Sequence, residues 1–154
     1  MNTQYLRTDK KGWTLLELII VVTVLGLLSG LAIPTYRSQI KNANLKSAKS
    51  NILSNLKLAQ SKALSERTLY RVKFDASTKT YQIGSDPNRD GIFTYETTQN
   101  LPQGISFTTA STYFEFSPDH TINTPASGVT ITNGDANIRF FMPSATGYRI
   151  EVTE

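Results

Sequence analysis

The chain has 154 residues, no cysteine, 39% hydrophobic residues and a formal charge of +4. That length fits one modest domain able to bury a core without disulfides or a structural zinc. The lack of cysteine excludes thiol catalysis, thiolate-held metals and a disulfide framework.

The first element is a short basic stretch, with Arg7, Lys10 and Lys11 ahead of Gly12. Residues 13–33, WTLLELIIVVTVLGLLSGLAI, then run for 21 positions with a single charge, Glu17. As a helix this segment is about 31 Å long, enough to cross the hydrocarbon core of a bilayer. A secretory signal peptide would have a shorter apolar region ending at a small-residue cleavage site, and none is visible. A plain membrane anchor explains the length and the flanking bases, which belong on the cytoplasmic side. It does not explain Glu17, because an acid inside a membrane helix is costly and usually has a partner. A cut after Gly12 would create an α-amino group on Trp13, a cation at neutral pH. Paired with such an amine on a neighbouring subunit, Glu17 becomes an assembly device.

At this point KGWTLLELIIVVTVLG resembles the class III signal of type IV prepilins and type II secretion pseudopilins. The resemblance implies a leader, residues 1–12, removed by a prepilin peptidase between Gly12 and Trp13, with Trp13 then N-methylated. It also implies that Glu17, fifth from the cut, serves filament assembly. The usual first mature residue of that family is Phe, so Trp13 is a departure. Pro34 closes the apolar run at the depth where pilins commonly carry a proline, and a kink or local unwinding is expected there. Gly26 is a second weak point of the helix, and Gly26 with Gly30 spells GxxxG, a spacing that permits close helix contact.

Residues 35–68 are predicted to continue as an amphipathic helix. Leu45, Ala48, Ile52, Leu56, Ala59 and Ala63 recur at steps of three and four and define one apolar face. Between Arg37 and Lys73 stand nine Lys or Arg and one acid; after Lys73 stand nine acids and four bases. The lysines of this helix fit a wet face beside acidic neighbours, or a face for a polyanion such as DNA or phospholipid.

Residues 69–154 read as a β-rich domain. Strand-like runs fall at 69–75, 79–85, 91–97, 104–109, 112–117, 128–133, 137–142 and 147–152, separated by turn-forming stretches. A helix leading into antiparallel strands is an α+β plan. The order of ALSERTLYRVKFDASTKTYQI, DPNRDG, LPQGISF, FEFSPDH and RFFMPSATGYRIEV is similar to the GspH/FimT branch of minor pilins and pseudopilins.

Other candidate sites are thinner. Asp86, Asn88, Asp90 and Gly91 spell the start of a calcium loop, but its twelfth position is Thr97 and strand-like segments flank it. A turn built from Asp, Asn and Gly needs no metal. His120 is the single histidine, beside Asp119; the spacing of Asp119 and Glu115 does not support a hydrolytic pair, and no nucleophile set is visible. Some members of the FimT branch bind DNA through a C-terminal G-R-x-R. Its counterpart here is Gly147-Tyr148-Arg149-Ile150, with Arg139 as a further base, so both arginine positions of the motif are lost.

These readings predict a type IV pilin-like α+β fold and a non-enzymatic minor pilin or pseudopilin without cofactor or metal. Its expected place is the inner membrane, single-pass, with the C-terminal domain outside the cytoplasm, and then a pilus or pseudopilus. The implied partners are other pilins, the prepilin peptidase, an inner-membrane assembly platform and, before assembly, the bilayer. The alternative is a DNA-binding minor pilin for natural transformation.

Overall fold

The computed structural model describes residues 12–109, 112–123, 128–141 and 150–153. The leader residues 1–11 and the Gly147, Tyr148 and Arg149 positions lie outside the described residues. The chain divides into two compact units, one ending at Ser38 and one beginning at Gln39.

One helix, α1 (Leu15–Ser65), contributes to both units. Thr14 starts it: its hydroxyl accepts the Glu17 N–H at 3.2 Å, and its carbonyl accepts the Leu18 N–H at 3.2 Å. Thr14-Leu15-Leu16-Glu17 is thus an N-cap with an acid at the third helical position, a favoured charge at that end. The helical assignment runs unbroken through Pro34, so the expected local unwinding there is not seen. The helix ends at Ser65, three residues before the expected boundary. Arg67 adopts a left-handed φ of 53°, and the Thr68 N–H reaches back to the Ala63 carbonyl at 3.3 Å, which closes the last turn in a Schellman-type cap.

The strands are β1 (Leu69–Asp75), β2 (Thr80–Asp86), β3 (Thr94–Asn100), β4 (Ser106–Phe107), β5 (Thr112–Phe116), β6 (Ile122–Asn123), β7 (Val129–Thr132), β8 (Asn137–Phe141) and β9 (Glu151–Thr153). They form two antiparallel sheets, a five-stranded one in the order β3-β2-β1-β5-β6 and a four-stranded one in the order β4-β7-β8-β9. β3 begins later than the run 91–97 predicts. Residues 90–92 are spent in a turn, and the polar tail of the strand pairs onward to Thr80↔Asn100. Similarly, Gly104 (φ 83°) and the Ile105 N–H to Pro102 carbonyl bond hold a turn, so only Ser106 and Phe107 form β4.

All six residues of the apolar helix face are buried, each 4% exposed or less. They share one core with Tyr70, Val72, Phe74, Tyr81, Phe114 and Phe116 of the first sheet. From the second, Phe107, Val129, Ile131, Ile138 and Phe140 close the same core. Phe74 is its aromatic hub, edge-on to Phe107 and Phe114 and stacked on Tyr81 at centroid distances of 5.5, 5.9 and 5.7 Å. Polar ties fix the helix against the sheets: Asn55 donates to the Tyr81 hydroxyl (2.8 Å), Asn44 to the Gln103 carbonyl (3.0 Å) and Asn133 to Asn42 (2.8 Å). These bonds set the helix register along the strands, which apolar contact alone leaves loose.

Candidate functional site

Packing gives no shelter to the first turns of α1. Leu15, Leu16, Leu18, Ile19, Ile20, Val22, Leu25, Leu27 and Leu28 are all more than half exposed, on every side of the helix. An all-round apolar helix is stable only where something apolar surrounds it. By length and composition this helix can cross a membrane.

Its polar side chains are treated in two ways. Thr23 donates to the Ile19 carbonyl and Ser29 to the Leu25 carbonyl, both at 2.7 Å, so each hydroxyl is satisfied within its own helix. Such back-bonding is how hydroxyls are tolerated in hydrocarbon. The Glu17 carboxylate has no such device. Among the described residues it accepts no hydrogen bond and forms no ion pair; its backbone N–H, not its side chain, meets Thr14. Gly12 and Trp13 precede the helix and are exposed; a Cβ added at Gly12 would meet nothing within 4 Å, and Trp13 is 70% exposed. The structure therefore groups Gly12, Trp13, Thr14 and Glu17 at one helix mouth. Thr14 is the residue that sequence reasoning passed over, although the Thr-x-x-Glu capping signature was there to find.

The remaining candidates are placed differently. Asp86 is fully buried, and its two oxygens accept the N–H groups of Asp90 (3.3 Å) and Gly91 (2.9 Å). Asp90 in turn accepts the Ile92 N–H at 2.8 Å, while Asn88 is exposed on the same turn. The calcium-like spacing is accounted for by backbone amides, and no group of three acids or histidines suited to a metal occurs among the described residues. Glu115 is held by Arg71 at 2.5 Å across β1 and β5, with the guanidinium lying over the Phe93 and Tyr113 rings at 3.8 and 4.4 Å. Hydrogen bonds from Ser117 and Thr121 hold the Asp119 carboxyl down at about 2. Each acid is thus engaged by its own partners. Arg139 stands exposed on β8, 5.5 Å from the Phe141 ring, and the Gly147–Arg149 stretch that would join it in a DNA site lies outside the described residues.

A long N-terminal apolar helix with an antiparallel β domain on its second half defines an α+β architecture consistent with a type IV pilin-like fold. The chain is similar to a "Fimbrial protein" of Pseudomonas aeruginosa, 35% identical over 97 residues. The match covers 53% of this chain and 63% of that protein's length. No family model matches the chain, and no solved structure matches it.

Proposed function

We propose that this chain is a pilin-type structural subunit: a minor pilin or pseudopilin of a type IV pilus or type II secretion pseudopilus. In this reading it is made as a single-pass inner-membrane precursor and cut between Gly12 and Trp13 by a prepilin peptidase. After N-methylation of Trp13 the apolar helix moves from lipid into a filament core, with the β domain outside the cytoplasm. The observation that carries the reading is the Glu17 carboxylate, without a partner among the described residues, at the mouth of a helix whose Thr23 and Ser29 hydroxyls are internally satisfied. The similarity to a fimbrial protein and the pilin-like architecture support it.

The test is Glu17→Val. The variant helix is more apolar, so membrane insertion persists, and the Gly12–Trp13 bond is unchanged, so cleavage continues at least in part. Incorporation into filaments fails, because a neighbour's ammonium loses its counter-charge in a low-dielectric site. Fractionation reads the outcome: variant protein in the inner membrane and absent from sheared filaments. Normal incorporation of Glu17→Val would show that the carboxylate is not an assembly partner and would remove the pairing mechanism.

A further inference from the structure

The C-terminal end of α1, the β2–β3 turn and the β5–β6 turn surround an open cleft of about 480 Å³. Its lining includes Arg67, Arg89, Asp119 and His120. Among the described residues four non-glycine positions have left-handed backbone, and three of them line this cleft: Arg67 (φ 53°), Arg89 (φ 56°) and His120 (φ 70°).

Each of the three stands where glycine is the favoured residue. Arg67 follows the helix at the position that closes a Schellman-type cap. Arg89 sits in the turn held by Asp86, its N–H on the Asp86 carbonyl at 3.4 Å. His120 ends a turn whose N–H reaches the Ser117 carbonyl (3.2 Å), while the Ser117 N–H pairs with the Thr121 carbonyl (3.0 Å). That is a three-residue hairpin loop with a bulge, whose left-handed position usually carries glycine. Glycine adopts this backbone without the Cβ conflict that Arg and His meet. The turns themselves therefore do not call for these side chains. What the three share is a cationic or protonatable head and one cleft.

The Arg89 head is also held. Arg89 Nη2 donates to the Arg67 carbonyl at 3.1 Å, which ties the turn to the helix end. Among the described residues neither guanidinium forms an ion pair. The acid of the lining, Asp119, stays ionised and accepts the Thr121 N–H (3.1 Å) and hydroxyl (2.7 Å) on one oxygen, so the cleft sets two guanidiniums against one carboxylate. We propose that this cleft binds a phosphate group, gripped by the Arg67 and Arg89 guanidiniums with His120 at its edge. Guanidinium forks match the oxygens of a phosphate in pairs, and imidazole can donate to it in either protonation state. The phosphate could be carried by a small solute or by a phosphodiester chain, and the chemistry of the grip is the same.

The experiment uses the full chain in neutral-detergent micelles and equilibrium dialysis with radiolabelled inorganic phosphate, with a labelled single-stranded oligonucleotide as a second arm. The native chain should bind phosphate at millimolar concentration. Arg67→Gly and Arg89→Gly should each weaken binding about tenfold, the effect of losing one charge-assisted contact. The thermal midpoint of Arg67→Gly should hold or rise, since glycine relieves the left-handed backbone, while that of Arg89→Gly should stay near the native value, the same relief offsetting the lost bond to the Arg67 carbonyl. Phosphate binding without oligonucleotide binding assigns the ligand to small solutes; binding of both, each lost in the double variant, assigns it to a phosphodiester. No binding by the native chain, or undiminished binding by the double variant, overturns the site. Should the glycine variants fail to fold, Arg67→Gln and Arg89→Gln decide it: lost binding supports the grip and retained binding overturns it.

Discussion

Truncating one helix leucine at a time tests how α1 lies on the sheets. Leu56 is fully buried and Leu58, about 200° further round the helix, is 47% exposed. Leu→Ala at a buried site costs about 3–5 kcal/mol, more where neighbours cannot close the gap. The surroundings of Leu56 are poorly able to close. Ile52 and Ala59 flank it at full burial, and Asn55 pins the adjacent turn to the Tyr81 hydroxyl at 2.8 Å. We therefore expect about 3–4 kcal/mol for Leu56→Ala. Leu58→Ala loses partial burial only, roughly 1 kcal/mol or less. The fragment 39–154 holds the entire buried cluster and is suited to the measurement. With a urea slope of about 2 kcal/mol/M, Leu56→Ala should lower the midpoint by about 1.5–2 M and Leu58→Ala by less than about 0.5 M, at unchanged slope. Equal shifts for the two variants, or a fragment with no cooperative transition, would refute the packing described.

Gly128 has φ 67°, and a Cβ there would lie 2.2 Å from the Phe140 carbonyl oxygen. Gly128→Ala should therefore cost about 3 kcal/mol or more, whereas Gly134→Ala, with φ 93° and open space, should cost about 1–2 kcal/mol of backbone strain; thermal melts of both variants check the contrast. Burial, then the Glu66 carboxylate that accepts its hydroxyl at 2.6 Å, push Tyr70 up to about 12. A folded-state value above the ordinary 10 gives stability that is fully present below pH 10 and lost as pH rises toward 12, so absorbance at 295 nm should show a late phenolate step that coincides with unfolding. Mass spectrometry of protein extracted from its native membrane should find a chain starting at methylated Trp13; an intact Met1 alongside an active peptidase would sink the processing proposal.

The helix face was legible because its signal is local: residues three and four apart land on one side whatever the strands do, and all six named positions are buried. Strands with a buried face were legible for the same reason. β3 was misplaced because it is an edge strand with little burial, so its TYETTQN carries no alternation to read. Two-residue strands such as β6 have no period at all. Asn42, Asn44 and Asn55 lie off the apolar stripe and carry no pattern of their own. Their partners lie 91, 59 and 26 positions away, a distance at which a sequence pattern says nothing. The cleft was invisible for a related reason. Arg67, Arg89 and His120 come from three separate turns, and an arginine in a left-handed conformation looks like any other arginine until φ is known.

Glu17 was legible as the one charge in an apolar run, yet the structure adds a rival account of it that has to be weighed. Thr14 caps the helix, and an acid at the third position of a capped helix is favoured with or without a filament. The magnitudes separate the two accounts. Capping is supplied by the Thr14 hydroxyl itself, about 1 kcal/mol, and a charge on the helix dipole adds roughly 0.3–1 kcal/mol. Glutamine fills the third position of a capping box as well as glutamate does, and it brings no charge into the apolar run. A carboxylate carried into hydrocarbon costs about 2.5–3.5 kcal/mol at mid-membrane and less near the end of a span. Glu17 lies at the end of the span, where that cost is smaller, so the local benefit and the cost of the charge are of similar size and a neutral residue would give nearly the same helix. Capping explains where the helix starts. It does not explain why the residue is an acid, and that remainder is what the proposed pairing with a neighbour's amine accounts for.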